Sequence, residues 1–518
     1  MGKTAQREVV AAIDIGSNSI RLLVAQTNEG AGVKELDRLV VPVTIGRDTF
    51  STGRISNAIT RETVEVMRGF ARTMKEYGVS RYSAIATSAV REALNRDTFL
   101  DTLQEASGLD IRAIEPIEET RLVHQVLRRA MGKAFDQPDR TILVLALGSG
   151  SAEISVFQGG DLILTETGRI GTLRLIETLA SAASDRLLYQ RLNTFVINVA
   201  SALERVYRIS GVDTLVVVNN ELHELALRNR FSGVSKDGNL IRMRARAFES
   251  VSARVEATSA SERSKRFNIG YDTAETLPAA IVATRAFLET TGAKSLVFPA
   301  VSVLDSLLMD VLRVGAPGRG DGEIEKDIVA SAVAIGRKYR FDEAHSLHVE
   351  KLSLMLFDQL QQFCGMKPRQ RLLLRIAAIL HDIGLFISSR SHHKHSYYLV
   401  NESEILGISP EDRAIIAHTC RYHRRATPQV QHLEFWALPQ SSRVAVTKIA
   451  AILRIADALD RNHNQEIISV KATPTESELV LEVKSRGDLL VDQWALENKA
   501  DLFLEVFGLP VVLTRAGR

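Results

Sequence analysis

Two short turns in this sequence carry the residue types that bind phosphate. Gly16-Ser17-Asn18-Ser19 and Gly148-Ser149-Gly150-Ser151 each read Gly-Ser-x-Ser, and each follows an apolar run. Such a turn offers several backbone N–H groups and two hydroxyls to one point. Bare glycine backbone lets phosphate oxygens come close. One such turn is weak evidence, because Gly-Ser turns are common in hairpins; a matched pair is stronger. Asp14 stands two residues before the first turn, where a carboxylate can hold Mg2+ or its water, since hard cations take oxygen ligands. A second group lies further along the chain. His345, His381-Asp382 and Asp457 follow the order His…His-Asp…Asp, and imidazole with carboxylate suits Mn2+, Zn2+ or Fe.

The elements around the turns repeat. An apolar strand over 9–15, the first turn and a strand over 20–26 make a hairpin. The stretch 141–160 is again strand, turn and strand, which reads as duplication of one domain, with two glycine-rich turns facing one cleft. Residues 57–77 are predicted as an amphipathic helix, with Ile59, Met67, Phe70, Met74 and Tyr77 on its apolar face and Gly78 ending it. SRYSAIATSAV (80–90) is predicted as a strand leading into Arg91, 117–131 as a helix and TLVVV (214–218) as a strand. The second copy is expected to end at the linker GAPGRGDGE. The region after it is mostly helical in pattern and holds ten of the twelve histidines, and 466–518 alternates in the manner of strands.

Six segments together resemble a known family: IDIGSNSIRLL (13–23), ATSAVREALN (86–95), EETRLVHQ (118–125), GSGSAEIS (148–155) and, further on, LHDIGLFI (380–387) with HHKHSYYL (392–399). The chain resembles the exopolyphosphatase and guanosine pentaphosphate phosphohydrolase family, within the superfamily of actin, acetate kinase, sugar kinases and heat-shock ATPases. The resemblance covers most of residues 9–465. It implies an α/β fold of two duplicated RNase H-like (actin-like ATPase) domains, 1–135 and 136–316. An all-α HD-type domain, 317–465, and a small α+β domain, 466–518, would follow. It also implies site roles. Glu119 matches the general base that activates the attacking water. Gly16, Ser17, Asn18, Ser19, Gly148, Ser149, Gly150 and Ser151 match the phosphate-binding turns, Arg91 a residue that holds phosphate, and Glu153 an acid of the active centre. Asp14 and Glu153 would carry Mg2+. The implied reaction is in-line attack of water on a terminal phosphorus, with cation and turn N–H groups stabilising the developing charge. A homodimer is implied as well.

Three positions depart from the family pattern. Ala146 stands where the family places a metal-linked Asp before the second turn. Asn219-Asn220-Glu221 replaces a Gly-Gly-Thr turn, and Leu304-Asp305-Ser306 replaces an Arg-Glu-Gly turn. Loss of one preorganised stabilising group costs roughly 10²–10³-fold in rate, so Ala146 bears most on catalysis, and Glu153 or Asp14 can compensate.

In HD-type phosphohydrolases the set His345, His381, Asp382 and Asp457 binds a divalent metal that activates water, and a buried Asp457 needs a partner. His393, His395, His418 and His423 can add ligands or bind phosphate.

The leading expectation is release of terminal orthophosphate from inorganic polyphosphate. Hydrolysis of the 5′ terminal phosphate of guanosine pentaphosphate is the close alternative. A polyphosphate or alarmone sensor without turnover, and an HD-type metal phosphohydrolase with the front domains regulatory, are the other two. A basic stretch over 228–266, including Arg228, Arg230, Lys236, Arg242, Arg254, Arg263 and Arg266, can line a polyanion path and leans toward polyphosphate.

The bulk numbers are those of a soluble globular chain, 45% hydrophobic and 25% charged, with no apolar run long enough for a membrane span. A net charge of +3 does not announce a nucleic-acid binder. Two cysteines, Cys364 and Cys420, imply no disulfide framework. With no apolar signal-peptide core at the start, a cytoplasmic location is expected.

Overall fold

Val9–Ile15 (β1) and Thr141–Leu147 (β6) are apolar along most of their length without alternation. In the computed structural model each is an interior strand buried on both faces. Residues 8–27, 33–179, 185–229, 231, 233–313, 321–425 and 427–516 are described; residues 315–320 of the expected linker GAPGRGDGE, Arg230 and Ala426 lie outside them, and the linker's last three residues begin the helix Asp321–Lys338. The chain divides into two compact units, 1–321 and 322–518.

The first unit carries two sheets. In the first, β1 pairs with Ser19–Thr27 (β2), Val33–Pro42 (β3) lies outside β2, and Arg81–Ala86 (β4) and Arg112–Ala113 (β5) follow on the other side, in the order β3-β2-β1-β4-β5. The second contains β6, Ala152–Gln158 (β7), Asp161–Gly168 (β8), Thr214–Val218 (β9), Val234–Asp237 (β10), Leu240–Arg244 (β11) and Ser295–Pro299 (β12), in the order β10-β11-β12-β9-β6-β7-β8. Its run β8-β7-β6-β9-β12 repeats the first sheet in order and direction: three antiparallel strands, then two parallel ones. This is the duplicated actin-like architecture, with β11 and β10 added at one edge.

Helix Asn57–Glu76 buries Thr63, Met67, Phe70 and Met74 and is capped by Ser56, whose hydroxyl accepts from the Ile59 N–H. Tyr77, expected on the buried face, is its exposed C-cap. The strand expected to reach residue 90 stops at Ala86, because its partner β1 stops at Ile15 in the same register. The chain then turns through Thr87 into a helical turn, Ser88–Arg91. Helix Val303–Arg313, at the end of the second half, crosses back and packs Leu304, Leu307 and Leu308 against Val10 and Ala12 of β1 and Leu122 of helix Pro116–Met131.

The second unit is built on helices Glu343–Leu360, Pro368–Leu380, His392–Asn401, Pro410–Tyr422 and Gln440–Ala458. Strands Ile467–Pro474 (β13), Leu479–Ser485 (β14) and Val511–Arg515 (β15) form a sheet in that order. Ile467, Leu481, Val483 and Phe503 of the C-terminal segment share one apolar core with Leu352, Phe357, Ile449 and Leu453 of the helices. The segment expected as a separate small domain therefore has no core of its own.

Candidate active site

The two Gly-Ser-x-Ser turns close in the same way. The Gly16 N–H donates to the Ser19 carbonyl at 3.0 Å, and the Gly148 N–H donates to the Ser151 carbonyl at 3.0 Å. Ser17 Oγ lies 3.1 Å from Ser88 Oγ, which ties the first turn to the start of helix Ser88–Arg91. A β-carbon on Gly150 would come within 2.1 Å of Ser88 Oγ and 2.6 Å of the Phe50 ring. Glycine at 150 is thus what lets the second turn reach the first half of the unit.

The turns open on one cleft of about 410 Å3. Asp14, Gly16, Ser17, Asn18, Ser19, Glu119, Gly148, Ser149, Gly150, Ser151 and Glu153 all line it. Of the residues expected at this site, Arg91 alone is not on its wall. Its Nη1 donates to the Ile114 carbonyl at 2.7 Å and lies 3.9 Å from Glu119 Oε2. The Ile114 carbonyl thus holds the Arg91 guanidinium beside Glu119.

Three carboxyls face this space, those of Asp14 and Glu153 buried and that of Glu119 partly exposed. Asp14 lies 3.6 Å from Arg21 Nη1 through Oδ2, while its Oδ1 has no hydrogen-bond partner. Burial raises its pKa against the pull of Arg21. Glu119 sits in the first turn of helix Pro116–Met131, where the helix dipole favours an anion. Its Oε2 has no hydrogen-bond partner. Burial pushes its carboxyl up to about 7; Arg91 opposes the shift and the Asp14 charge adds to it. Glu153 accepts from Ser151 Oγ at 2.9 Å and is held well above the usual carboxylate range by burial and by the charge of Glu119.

These donors fit a hard divalent cation. They are all carboxylate oxygens, two of them unpartnered, and Arg21 is the single lysine or arginine on the described wall. The missing family Asp is visible in the ladder. Asp14 faces Arg21 across β1 and β2, and Ala146 faces Glu153 across β6 and β7. Directly opposed residues project to the same face, so Glu153 stands beside the place a carboxylate at 146 would occupy.

The other two departures also have structural roles. Asn219 caps helix Asn220–Arg228 by accepting from the Leu222 N–H, and its amide donates to the Leu147 carbonyl at 2.9 Å. Glu221 accepts from the Thr172 and Thr276 hydroxyls at 3.2 Å each. Asn219, Asn220 and Glu221 line the cleft, together with Glu224 and Asp272. Asp305 caps helix Val303–Arg313, taking the Ser302 N–H and pairing with Arg38 at 2.8 Å.

The basic run over 228–266 supplies no residue to the described cleft wall. Arg228 pairs with Glu224 at 2.9 Å, Arg254 lies over Phe231 and Phe267, and Arg263 is buried beside Tyr189. The run's absence from the described wall gives the polyphosphate path drawn from it no support.

Sequence spacing also missed Arg174. Its Nε donates to the Gly150 carbonyl, its Nη2 pairs with Glu92 at 2.6 Å, and its guanidinium lies 4.1 Å from the Phe50 ring centre. It clasps the second turn to the first half, a contact between segments far apart in sequence with no local signal.

In the second unit His345, His381, Asp382 and Asp457 come together, as their order in the sequence suggested. His345 Nε2 and His381 Nε2 lie 3.7 and 4.0 Å from Asp457 Oδ1, and His381 Nε2 lies 3.7 Å from Asp382 Oδ2. Asp457 already has a partner, because Lys499 Nζ binds its Oδ2. His418 stacks among Tyr397, Tyr422 and Phe435. His393, His395 and His418 belong to no described ligand group, whereas His423 does.

Known proteins resemble this chain in sequence and in fold. The model of the Ppx/GppA phosphatase family matches residues 23–310, and that of Ppx/GppA phosphatase domain III matches residues 329–503. The chain belongs to the Ppx/GppA phosphatase family. As a member it is an enzyme, a hydrolase of phosphoric anhydride bonds. Similar curated proteins include two named guanosine-5′-triphosphate,3′-diphosphate pyrophosphatase. The one from Photobacterium profundum is 22% identical over 482 residues, covering 88% of each chain. The one from Aeromonas hydrophila is 22% identical over 455 residues, covering 86% of each. Among solved structures, an exopolyphosphatase from Cytophaga hutchinsonii superposes with a TM-score of 0.52 at 18% identity, over 59% of this chain and 98% of that one. An exopolyphosphatase-like protein gives 0.51 at 21% identity, over 60% and 100%. Both support the duplicated fold of the first unit. No described helix is long and apolar enough to cross a membrane.

Proposed function

We propose that this phosphatase removes the terminal orthophosphate of inorganic polyphosphate in the cleft of its first unit. The observation that carries the reading is the convergence of both phosphate turns and Glu119 on one cleft. Glu119 has an unpartnered buried oxygen and a pKa near neutrality, the properties of a base that can accept a proton from water at working pH. Water then attacks the terminal phosphorus in line. The new P–O bond forms as the bridging P–O bond breaks, the shortened chain leaves with its electron pair, and the proton of the water rests on Glu119. The turns bind the phosphoryl oxygens through backbone N–H groups and the hydroxyls of Ser17, Ser19, Ser149 and Ser151. Arg91 tempers the push of burial on Glu119, keeping part of it ionised. Asp14 and Glu153 would hold Mg2+, which supplies charge neutralisation at the phosphoryl oxygens.

Guanosine pentaphosphate is the second reading, favoured by the acids Glu221, Glu224 and Asp272 on the cleft wall. They repel a continuing polyanion, whereas carboxylates accept from the N–H groups of a purine base. The names of the two curated relatives point the same way. Phosphate release from polyphosphate and from guanosine pentaphosphate, run side by side with Mg2+ or with EDTA, tests both. Mg2+-dependent release from polyphosphate is expected. Release from the nucleotide alone moves the assignment to the second reading, and binding of both without release makes the chain a sensor weakened at Ala146. The buried thiols of Cys364 and Cys420 go with a reducing compartment, and we place the reaction in the cytoplasm.

A further inference from the structure

His124 is a buried histidine that the chemistry of the cleft leaves unused. It stands five residues after Glu119 on helix Pro116–Met131 and is 2% exposed. Its Nε2 lies 2.8 Å from Ser155 Oγ of β7. Ser155 Oγ in turn lies 3.1 Å from Thr165 Oγ1 of β8, the residue opposite it in the sheet. Burial, with the Arg128 charge adding to it, lowers the imidazole pKa to about 3, so the ring is neutral. Its Nδ1 is buried with no hydrogen-bond partner. The other neighbours are aromatic: the ring meets Phe157 edge-on with centres 4.8 Å apart, and Phe157 meets Phe135.

This contact joins the two halves of the first unit. Leu122 holds the helix to the first half by packing with Val10 and Ala12 of β1, while β7 belongs to the second sheet. Glu153, Ser155 and Phe157 alternate along β7 and so project to one face. The helix meets them in order. The Glu119 charge acts on Glu153, and His124 bonds Ser155. The Arg128 guanidinium lies 5.7 Å from the Phe157 ring centre and donates to the Gly160 carbonyl beyond it. Five helix residues rise about 7.5 Å and two strand residues about 6.8 Å, so the steps match, with Glu119 at the Glu153 end. Apolar packing has no direction, and the aromatic contacts alone would let the helix slide along β7. A hydrogen bond does not survive a slide of about 1 Å. An apolar pair at 124 and 155 would avoid the unpartnered Nδ1, so stability alone gives no reason for an imidazole here.

We propose that His124 is a positioning residue for phosphate release. Its bond to Ser155 sets the register of the helix on β7, and so the placing of the Glu119 carboxylate against the phosphoryl group held by the turns. This role rests on Glu119 being the base. Misplacing a reacting group by about 1 Å costs on the order of 10²-fold in rate, which sets the upper end of the expected effect.

The test is phosphate release by the full chain with Mg2+, from whichever of polyphosphate and guanosine pentaphosphate the wild type cleaves, with thermal melts alongside. His124→Phe keeps a ring against Phe157 and removes the bond. It should lower kcat by about 10–10²-fold and leave KM within about twofold of wild type. Ser155→Ala should do the same with a smaller change of volume, and the two together should cost no more than either alone. His124→Gln keeps an amide N–H near the place of Nε2 and should recover most of the rate. In a chain already carrying Glu119→Gln, His124→Phe should slow the residual release by less than about twofold, because no base is left to misplace. A folding fault would instead lower both chains alike. Wild-type kcat in Ser155→Ala and His124→Phe, an equal loss in both Glu119 backgrounds, or a His124→Gln chain as slow as the His124→Phe chain overturns the proposal. A wild type that releases phosphate from neither substrate, or undiminished release by Glu119→Gln alone, overturns the assignment of the base and this role with it. Full release by His124→Phe beside a slow Glu119→Gln chain removes only the role of His124.

Discussion

Glu119 owes its chemistry to what surrounds it. One oxygen has no donor, burial raises the carboxyl toward neutrality, and Arg91 limits the rise. Replacing the carboxylate with an amide keeps the shape and removes the base, so Glu119→Gln should slow phosphate release by about 10²–10⁴-fold. Because the ionised form is the active one, release by wild type at low Mg2+ should climb as pH rises through about 7. Stability should move the other way. Asp14, Glu119 and Glu153 are all raised in the folded chain, so their contribution is full below the ordinary carboxylate range and is lost as pH rises through the folded values. Without a divalent cation the melting temperature should therefore fall between about pH 4.5 and 7 on account of this cleft. Mg2+ should restore more at pH 8 than at pH 5, where its ligands are protonated; an equal shift at both would contradict carboxylate ligation. Ala146→Asp puts a carboxylate opposite Glu153. It should lower the Mg2+ concentration needed for half-maximal release and raise the rate by up to about 10²-fold.

At the scale of elements, the close approach of the second turn rests on Gly150. Gly150→Ala would drive a β-carbon into Ser88 and Phe50. Overpacking of this kind costs about 1–3 kcal/mol, and because it separates the two phosphate turns, release should fall further than thermal stability does. A circular dichroism melt beside a phosphate assay separates the two effects. The strands and turns that hold these residues were readable because their signal is local. The apolar runs of β1 and β6 mark interior strands, and the repeated Gly-Ser-x-Ser turn marks the duplication. What failed was decided by partners distant in sequence. The end of β4 is set by the end of β1. Arg174 works through Gly150 and Glu92. In RSHHKH, helix phase decides that His392 rather than His393 or His395 meets Asp382.

At the scale of the molecule, each unit brings together one group of buried ionisable side chains. Carboxylates line the cleft of the first; imidazoles and carboxylates gather in the second. The C-terminal segment belongs to the second unit's core, and Arg454 fastens it there. This buried arginine donates to the Lys499 carbonyl at 2.7 Å and the Tyr422 carbonyl at 3.2 Å and pairs with Asp501. Arg454→Ala leaves those carbonyls unmet, at about 1–3 kcal/mol for each one that water cannot reach. Hydrogen exchange should show the loss of protection within residues 322–518. The assignment of the chemistry to the first unit is most directly tested by measuring polyphosphate binding and phosphate release together, in wild type, Glu119→Gln and Asp382→Ala. Glu119→Gln should bind polyphosphate as wild type does and release phosphate about 10²–10⁴-fold more slowly, while Asp382→Ala should bind and release as wild type does. Undiminished release by Glu119→Gln, or release abolished by Asp382→Ala alone, would contradict it.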